Sequence, residues 1–343
     1  MPQNLIPATI LTGFLGSGKT TLLKRVLSEA HGQKIAVIEN EFGEENIDND
    51  ILAVDTQEQI IQMSNGCVCC TIREDLRSTL AELAAKKRKG ELAFDRVVIE
   101  TTGLADPGPV AQTFFMDDEI AETYLLDSIL TLVDAKHAEA QLDARQEARR
   151  QVGFADQIFI SKADLVAQDE VDALVHRLKH MNPRAPQRTV HFGEVPLAQV
   201  FDLKGFNLNA KLDVDPEFLD DAGHDHEHGE HCDHPSHRTH HHVHDDDVKS
   251  LVFRSERAFV PAKLEDFLGA IVQVYGPKML RYKGVLYMKG SERKVVFQGV
   301  HQLMGSDLGP KWAPGEKKAS RLVFIGIELP RDVLLQGLEQ CLV

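Results

Sequence analysis

The run Gly13-Phe14-Leu15-Gly16-Ser17-Gly18-Lys19-Thr20 leaves little freedom to the chain around it. It satisfies every fixed position of G-x-x-x-x-G-K-[ST], and its context fits that pattern. A short apolar run at 5–12 precedes it, with the character of a buried strand. A stretch with helical periodicity follows from Thr20 to His31 and stops at Gly32. In such a strand–turn–helix unit the glycines let successive backbone N–H groups turn inward at a helix N-terminus, where they bind phosphate oxygens. Lys19 adds a charge for the β- and γ-phosphates, and the Thr20 hydroxyl is placed for Mg²⁺. A glycine-rich turn without a ligand is the competing reading.

Alternation continues downstream. Residues 34–40, 59–63, 96–101, 128–134 and 157–161 are short β-branched or apolar runs. Helical stretches at 72–87, 108–116, 137–150 and 168–181 separate most of them. Apolar strands alternating with helices predict a mostly parallel sheet covered on both faces, an α/β P-loop NTPase domain over residues 1–210. From 211 to 247 apolar residues nearly vanish, which predicts an acidic, His-rich flexible linker. A second pattern occupies 248–343, with a strand beginning at Ser250–Phe253 and a helix at Pro261–Tyr275. Strands at 280–288, 294–304 and 321–329 and a helix at 331–341 complete it. That order predicts a small C-terminal α+β domain with an open sheet.

Charge sharpens this division. The chain carries a net charge of −15, but −11 of it lies between Asp213 and Asp247. The remainder is close to balanced and offers no basic footprint for nucleic acid. No apolar run approaches the roughly 18 residues of a membrane span. Met1–Pro7 lacks the basic stretch of a leader, and five unevenly spread cysteines do not make a disulfide framework. A reducing cytoplasm is the expected compartment.

Three acidic segments extend the phosphate-loop reading. Ser161-Lys162-Ala163-Asp164 follows an apolar run and looks like the guanine-reading N-K-x-D motif with Ser in place of Asn. A carboxylate at Asp164 accepts both N1–H and the 2-amino group of guanine, whereas adenine would leave it unpaired. A helix N-cap by Asp164 is the alternative. Val97-Val98-Ile99-Glu100-Thr101-Thr102-Gly103 resembles a D-x-x-G switch with Glu for Asp. There Glu100 would hold Mg²⁺ through water or orient the attacking water, and the Gly103 N–H would sense the γ-phosphate. Glu39, Glu41 and Glu44 cluster where the second strand ends, the end that faces the ligand crevice in an open α/β sheet. A solvated acidic turn competes with that reading.

Cys67, Cys69 and Cys70 fall within four residues. Thiolates select Zn²⁺ and similar soft ions. In an extended segment Cys67 and Cys69 share a side and Cys70 opposes them, so convergence needs the freedom of Gly66. Glu39 or Glu44 is a candidate fourth ligand. A redox pair (Cys67 and Cys70) or a packed core remain alternatives. Ten of the sixteen histidines lie between His224 and His244, with Cys232 among them. That tract offers many weak imidazole sites and reads as a collecting arm, or as a plain solvated linker.

Together GFLGSGKTT, NEFGE, NGCVCC, VIETTGLADPGP, SKAD, LRYKG (Leu280–Gly284) and VFQGV (Val296–Val300) resemble the CobW-type metal-chaperone GTPases over nearly the whole chain. The resemblance implies a GTPase domain related to nickel-insertion GTPases, slow hydrolysis, and metal bound by Cys67, Cys69 and Cys70. It implies phosphate contacts from Gly13, Gly16, Ser17, Gly18, Lys19, Thr20 and Thr21. Lys19, Glu41 and Glu100 would be the catalytic set. Thr20, Glu41 and Glu100 would surround Mg²⁺, Gly103 would sense the γ-phosphate, and Lys162 and Asp164 would read guanine.

The resulting expectation is a cytoplasmic GTPase that carries Zn²⁺ (or Co²⁺ or Ni²⁺) to a client metalloprotein. No membrane or nucleic-acid partner is expected. The C-terminal domain would bind the client or a second copy of the chain. The competing expectation is a zinc buffer with a regulatory nucleotide site, or a P-loop kinase using ATP.

Overall fold

The computed structural model describes residues 5–29, 32–39, 72–206 and 247–343. The candidate ligands Glu41, Glu44, Cys67, Cys69 and Cys70, the expected strand at 59–63 and the histidine tract lie outside the described residues.

The first layer system is a six-stranded sheet built from β1 (Ile6–Gly13), β2 (Ile35–Glu39), β3 (Arg96–Glu100), β4 (Tyr124–Asp134), β5 (Gln157–Ser161) and β6 (Gln187–Val190). Its strand order is β2-β3-β1-β4-β5-β6, and every pairing is parallel. The interior strands read as near-continuous apolar runs because helices cover both faces. Those helices are α1 (Lys19–Ser28), α2 (Ile72–Arg88), α3 (Pro107–Met116), α4 (Asp118–Thr123), α5 (Ala138–Ala144), α6 (Gln146–Phe154) and α7 (Gln168–Met181). Leu22, Leu23 and Val26 of α1 pack with Leu11, Val37, Val98 and Phe159 on one face. Val110, Phe114, Val152 and Leu178 of α3, α6 and α7 pack with Ile10, Ile99 and Ile129 on the other.

The second sheet is antiparallel, in the order β10-β9-β8-β11-β7. Its strands are β7 (Val248–Ser255), β8 (Met279–Leu286), β9 (Arg293–Val300), β10 (Leu303–Lys311) and β11 (Ser320–Ile327). Alternating side chains give it two buried faces. Phe253, Tyr282, Phe297, Leu322 and Phe324 pack against α8 (Pro261–Tyr275) and α9 (Arg331–Gln340). Val248, Leu280, Val300, Val323 and Ile325 join the core of the first unit instead.

That seam also contains charge. Asp156 is wholly buried and accepts from Arg281 at 2.7 Å and from Lys283 at 3.1 Å. Its carboxylate accepts from the Ile129 N–H at 3.0 Å as well. Arg281 donates to the carbonyls of Phe154 and Gly205 and lies 3.9 Å from the Phe206 ring centre. A buried carboxylate is tolerated because two cations and a backbone donor satisfy it.

The periodicity reading differs from the structure in several places, among them the unexpected helix α4. The helix expected over 137–150 is two helices, broken where Arg145 takes an extended conformation. The strand expected over 294–304 is the hairpin β9–β10, turning at His301 with φ 51°. The polar strand β6 carried no apolar signal.

Removing one partner of a buried charge cluster strands the others. Asp156→Ala is therefore expected to lower unfolding stability by about 3–5 kcal/mol. Urea denaturation followed by circular dichroism measures it, and a loss below about 1 kcal/mol would mean that the apolar seam alone holds the two units together.

Candidate nucleotide-binding site

The parallel sheet delivers the C-terminal ends of β1, β3, β4 and β5 to one edge, and the described residues of the phosphate loop, the Glu100 segment and the Ser161–Asp164 turn lie there. β1 ends at Gly13, where a Cβ would lie 2.4 Å from the Leu132 carbonyl oxygen, so only glycine fits beside β4. The loop turns through left-handed Gly16 and Gly18 (φ 74° and 98°), and α1 begins at Lys19. The first turn of α1 carries no acidic side chain, which leaves its N-terminal field open to an anion. Lys19 Nζ donates to the Gly13 carbonyl at 2.9 Å, folded over its own loop.

Two neighbours hold this loop by its carbonyls. Ser161 Oγ donates to the Ser17 carbonyl at 2.7 Å, and Lys162 Nζ donates to the Gly16 carbonyl at 2.8 Å. In a trans peptide the C=O and the following N–H point opposite ways. Drawing the Ser17 carbonyl toward β5 therefore aims the Gly18 N–H to the other side of the loop. The serine that replaces the expected Asn thus has a task that its short hydroxyl performs. Lys162 itself is left-handed (φ 56°).

β3 lies beside β1, and the Thr101 hydroxyl donates to the Thr12 hydroxyl at 2.9 Å. This sets Glu100 against the start of α1, where the Thr20 hydroxyl donates to Glu100 Oε1 at 3.1 Å. A hydroxyl and a largely buried carboxylate in contact at a phosphate loop form a hard-oxygen donor pair that fits Mg²⁺. Strand register also pairs Glu39 with Glu100. The chain beyond Glu39 therefore leaves from the nucleotide edge.

After Glu100 the chain passes Gly103, where a Cβ would lie 2.6 Å from the Leu15 backbone nitrogen. Gln151 of α6 donates to the Gly103 and Ala105 carbonyls at 3.1 and 3.0 Å. Asp106 caps α3 through the Gly108 N–H at 2.9 Å and accepts from Arg150 at 2.5 Å. The hairpin tip of the second sheet reaches the same segment. His301 packs edge-on to Phe154, with ring centres 5.3 Å apart, and its Nε2 would lie 2.6 Å from a Cβ on Gly108. Burial depresses the pKa of His301, against the opposing pull of Asp106.

Asp164 is half-exposed in a single helical turn at Ala163–Leu165. It does not cap α7, whose N-cap is Ala167. Its carboxylate faces His191, 3.5 Å away, beyond the end of β6. Four further residues at this edge were not singled out from sequence: Asp134, His137, Gln151 and His191. Asp134 closes the apolar run 128–134, so its sequence signal was that of a strand terminus alone. Among the described residues no three metal-ligating side chains gather into a cluster.

The fold and this edge define a P-loop nucleotide-binding protein. Residues 7–189 match the family described as CobW/HypB/UreG, nucleotide-binding domain, and residues 248–342 match the cobalamin synthesis protein cobW C-terminal domain. The chain belongs to the CobW/HypB/UreG family. It is 39% identical to the zinc chaperone YjiA of Escherichia coli (strain K12) over 96% of each chain. Identity to the zinc chaperone CobW of Pseudomonas aeruginosa is 32%, covering 98% of this chain and 92% of that protein. The crystal structure of Zn(II)-bound YjiA GTPase from E. coli superposes with a TM-score of 0.76, at 34% identity and 99% coverage of both chains.

The tight approach of Gly103 to the phosphate loop gives a test. Gly103→Ala is expected to weaken binding of a GTP analogue by about tenfold or more, equivalent to about 1.4 kcal/mol, while GDP binding changes less. Fluorescent-nucleotide titration of both ligands measures the ratio, and equal losses would remove γ-phosphate sensing from Gly103.

Proposed function

We propose that the chain is a GTPase that carries a transition metal, Zn²⁺ first among candidates, and transfers it to a client metalloprotein under control of the bound nucleotide. The observation that carries this reading is the contact of Thr20 with Glu100 at a phosphate loop, in a strand whose register partner, Glu39, opens the segment containing Cys67, Cys69 and Cys70. The relatives' names, zinc chaperone and GTPase, support it.

In this mechanism the N–H groups of residues 16–21 and the Lys19 ammonium bind the β- and γ-phosphates. Lys19 leaves the Gly13 carbonyl to do so. Thr20 and Glu100, with Glu41, would hold Mg²⁺, which would supply charge neutralisation at the phosphate oxygens. Glu100 also orients the attacking water. Asp164 reads the guanine edge and Lys162 lies along the base. Cys67, Cys69 and Cys70 would hold the cargo ion, with Glu39 or Glu44 as fourth ligand, and the nucleotide state would set how tightly it is held. Residues 1–210 are then the motor, 211–247 a ligand-rich tether, and 248–343 the unit that meets the client or a second copy of the chain. The cytoplasm is the setting.

The coupling is quantitative. A 100-fold difference in Zn²⁺ affinity between nucleotide states corresponds to about 2.7 kcal/mol, and metal must then change GTP affinity by the same factor. Competition titration with a chelating dye should find tighter Zn²⁺ binding in one nucleotide state. Equal affinity with GTP analogue and with GDP would exclude nucleotide-driven delivery. Asp164→Asn is expected to weaken GTP and leave ATP unaffected, and unchanged GTP affinity would overturn the base-reading assignment.

The histidine tract favours a second reading, a zinc buffer with a regulatory nucleotide site, because it holds more ligands than one ion needs. Deleting residues 222–246 separates the two. Asp247 should be kept, since it accepts from Arg149 at 2.5 Å and anchors the start of β7. A buffer loses most of its metal stoichiometry on deletion, whereas a chaperone keeps one tight thiolate site and its GTPase activity.

A further inference from the structure

We propose that Asp134, backed by His137, is a positioning residue for nucleotide recognition: it fixes Lys162 so that one ammonium joins the base-reading turn to the phosphate loop. The proposal rests on the reading of this edge as a guanine-nucleotide site and names a residue that acts within it.

Asp134 ends β4, the strand lying between β1 and β5, and so stands between the phosphate loop and the Ser161–Asp164 turn. Its side chain is 1% exposed. Oδ2 accepts from Lys162 Nζ at 2.7 Å and faces His137 Nδ1 at 2.9 Å, and Oδ1 accepts from the Lys136 N–H at 2.9 Å. Burial alone would raise the carboxyl's pKa, but Lys162 and His137 outweigh it and hold Asp134 below the usual carboxylate range.

An ammonium has three donors and no acceptor. Two donors of Lys162 are committed, one to Asp134 and one to the Gly16 carbonyl at 2.8 Å. A lysine on the solvent-facing edge of a sheet would ordinarily sample many rotamers. Here both ends are fixed, the backbone by its left-handed turn and the head by a buried carboxylate. The stem between them therefore spans from the Ser161–Asp164 turn to the phosphate loop. Such preorganisation removes an ordering cost from binding. It also makes base recognition and phosphate recognition one event, because displacement of Lys162 releases the Gly16 carbonyl.

Asp134 also braces its own turn through the Lys136 N–H, so a purely structural role must be separated from positioning. A double-mutant cycle does so. Fluorescent GDP is titrated into the wild-type chain, Asp134→Asn, Lys162→Ala and the double variant, and thermal melting of each nucleotide-free protein checks its fold. The expected result is a loss of about tenfold for each single variant, with the double variant within about twofold of Lys162→Ala. Multiplying losses, or a GDP affinity for Asp134→Asn within about twofold of wild type, would overturn the proposal. If Asp134→Asn does not fold, His137→Ala carries the test, since His137 is 60% exposed. A weakening of about threefold supports positioning and no change overturns it. Absence of GDP binding by the wild-type chain would overturn the guanine-nucleotide reading itself, which is a different result from wild-type binding with an indifferent Asp134→Asn.

Discussion

The phosphate loop is held by its carbonyl groups, and much of the first unit is arranged to hold them. A loop of glycines cannot by itself keep its N–H groups pointed at an anion, because glycine is free to leave the left-handed conformations it adopts there. The Ser17 and Gly16 carbonyls are tethered from β5, by Ser161 and Lys162. β5 reaches them only because β4 alone separates it from β1. The parallel order of the sheet thus converts a flexible glycine run into a fixed cradle, with Asp134 at the midpoint of the arrangement.

Contacts of the same kind fix the opposite side of the loop. Glu100 is set at Thr20 by the β1–β3 ladder, and the next residues are gripped by side chains of α6. Arg150 and Gln151 are adjacent on that helix, and each takes a different part of the 103–106 segment. α6 also carries Phe154, against which the C-terminal sheet places His301. One helix therefore touches both the 103–106 segment and the second unit. The Asp156 cluster, two residues beyond α6, ties the same junction to Arg281 and Lys283.

Much of this was legible in the sequence because it is written in local pattern. The phosphate loop, the Glu100 strand and the Ser161–Asp164 turn each announce themselves through fixed spacing and β-branched runs. What was hidden depends on tertiary geometry. β9 and β10 read as one strand because their turn is made by His301 and Gln302, with no glycine, proline or asparagine to mark it. α5 and α6 read as one helix because the break falls at Arg145, a good helix former. Asp134 and Gln151 were passed over because nothing in their neighbourhoods announces a partner. Asp134 matters through Lys162, 28 residues on, and Gln151 through carbonyls more than 40 residues back.

The placement of the cysteines gains meaning from the same geometry. The segment that carries them lies outside the described residues, but both of its anchors are described. It leaves from Glu39, the register partner of Glu100, and returns at Ile72, where α2 begins, two residues after Cys70. On the proposed reading, a thiolate site between those two anchors would need no distant relay to the γ-phosphate. Glu100 and Glu39 are register partners across a single pair of strands. In the proposed mechanism, metal affinity in that segment would follow the nucleotide through one rung of the β2–β3 ladder.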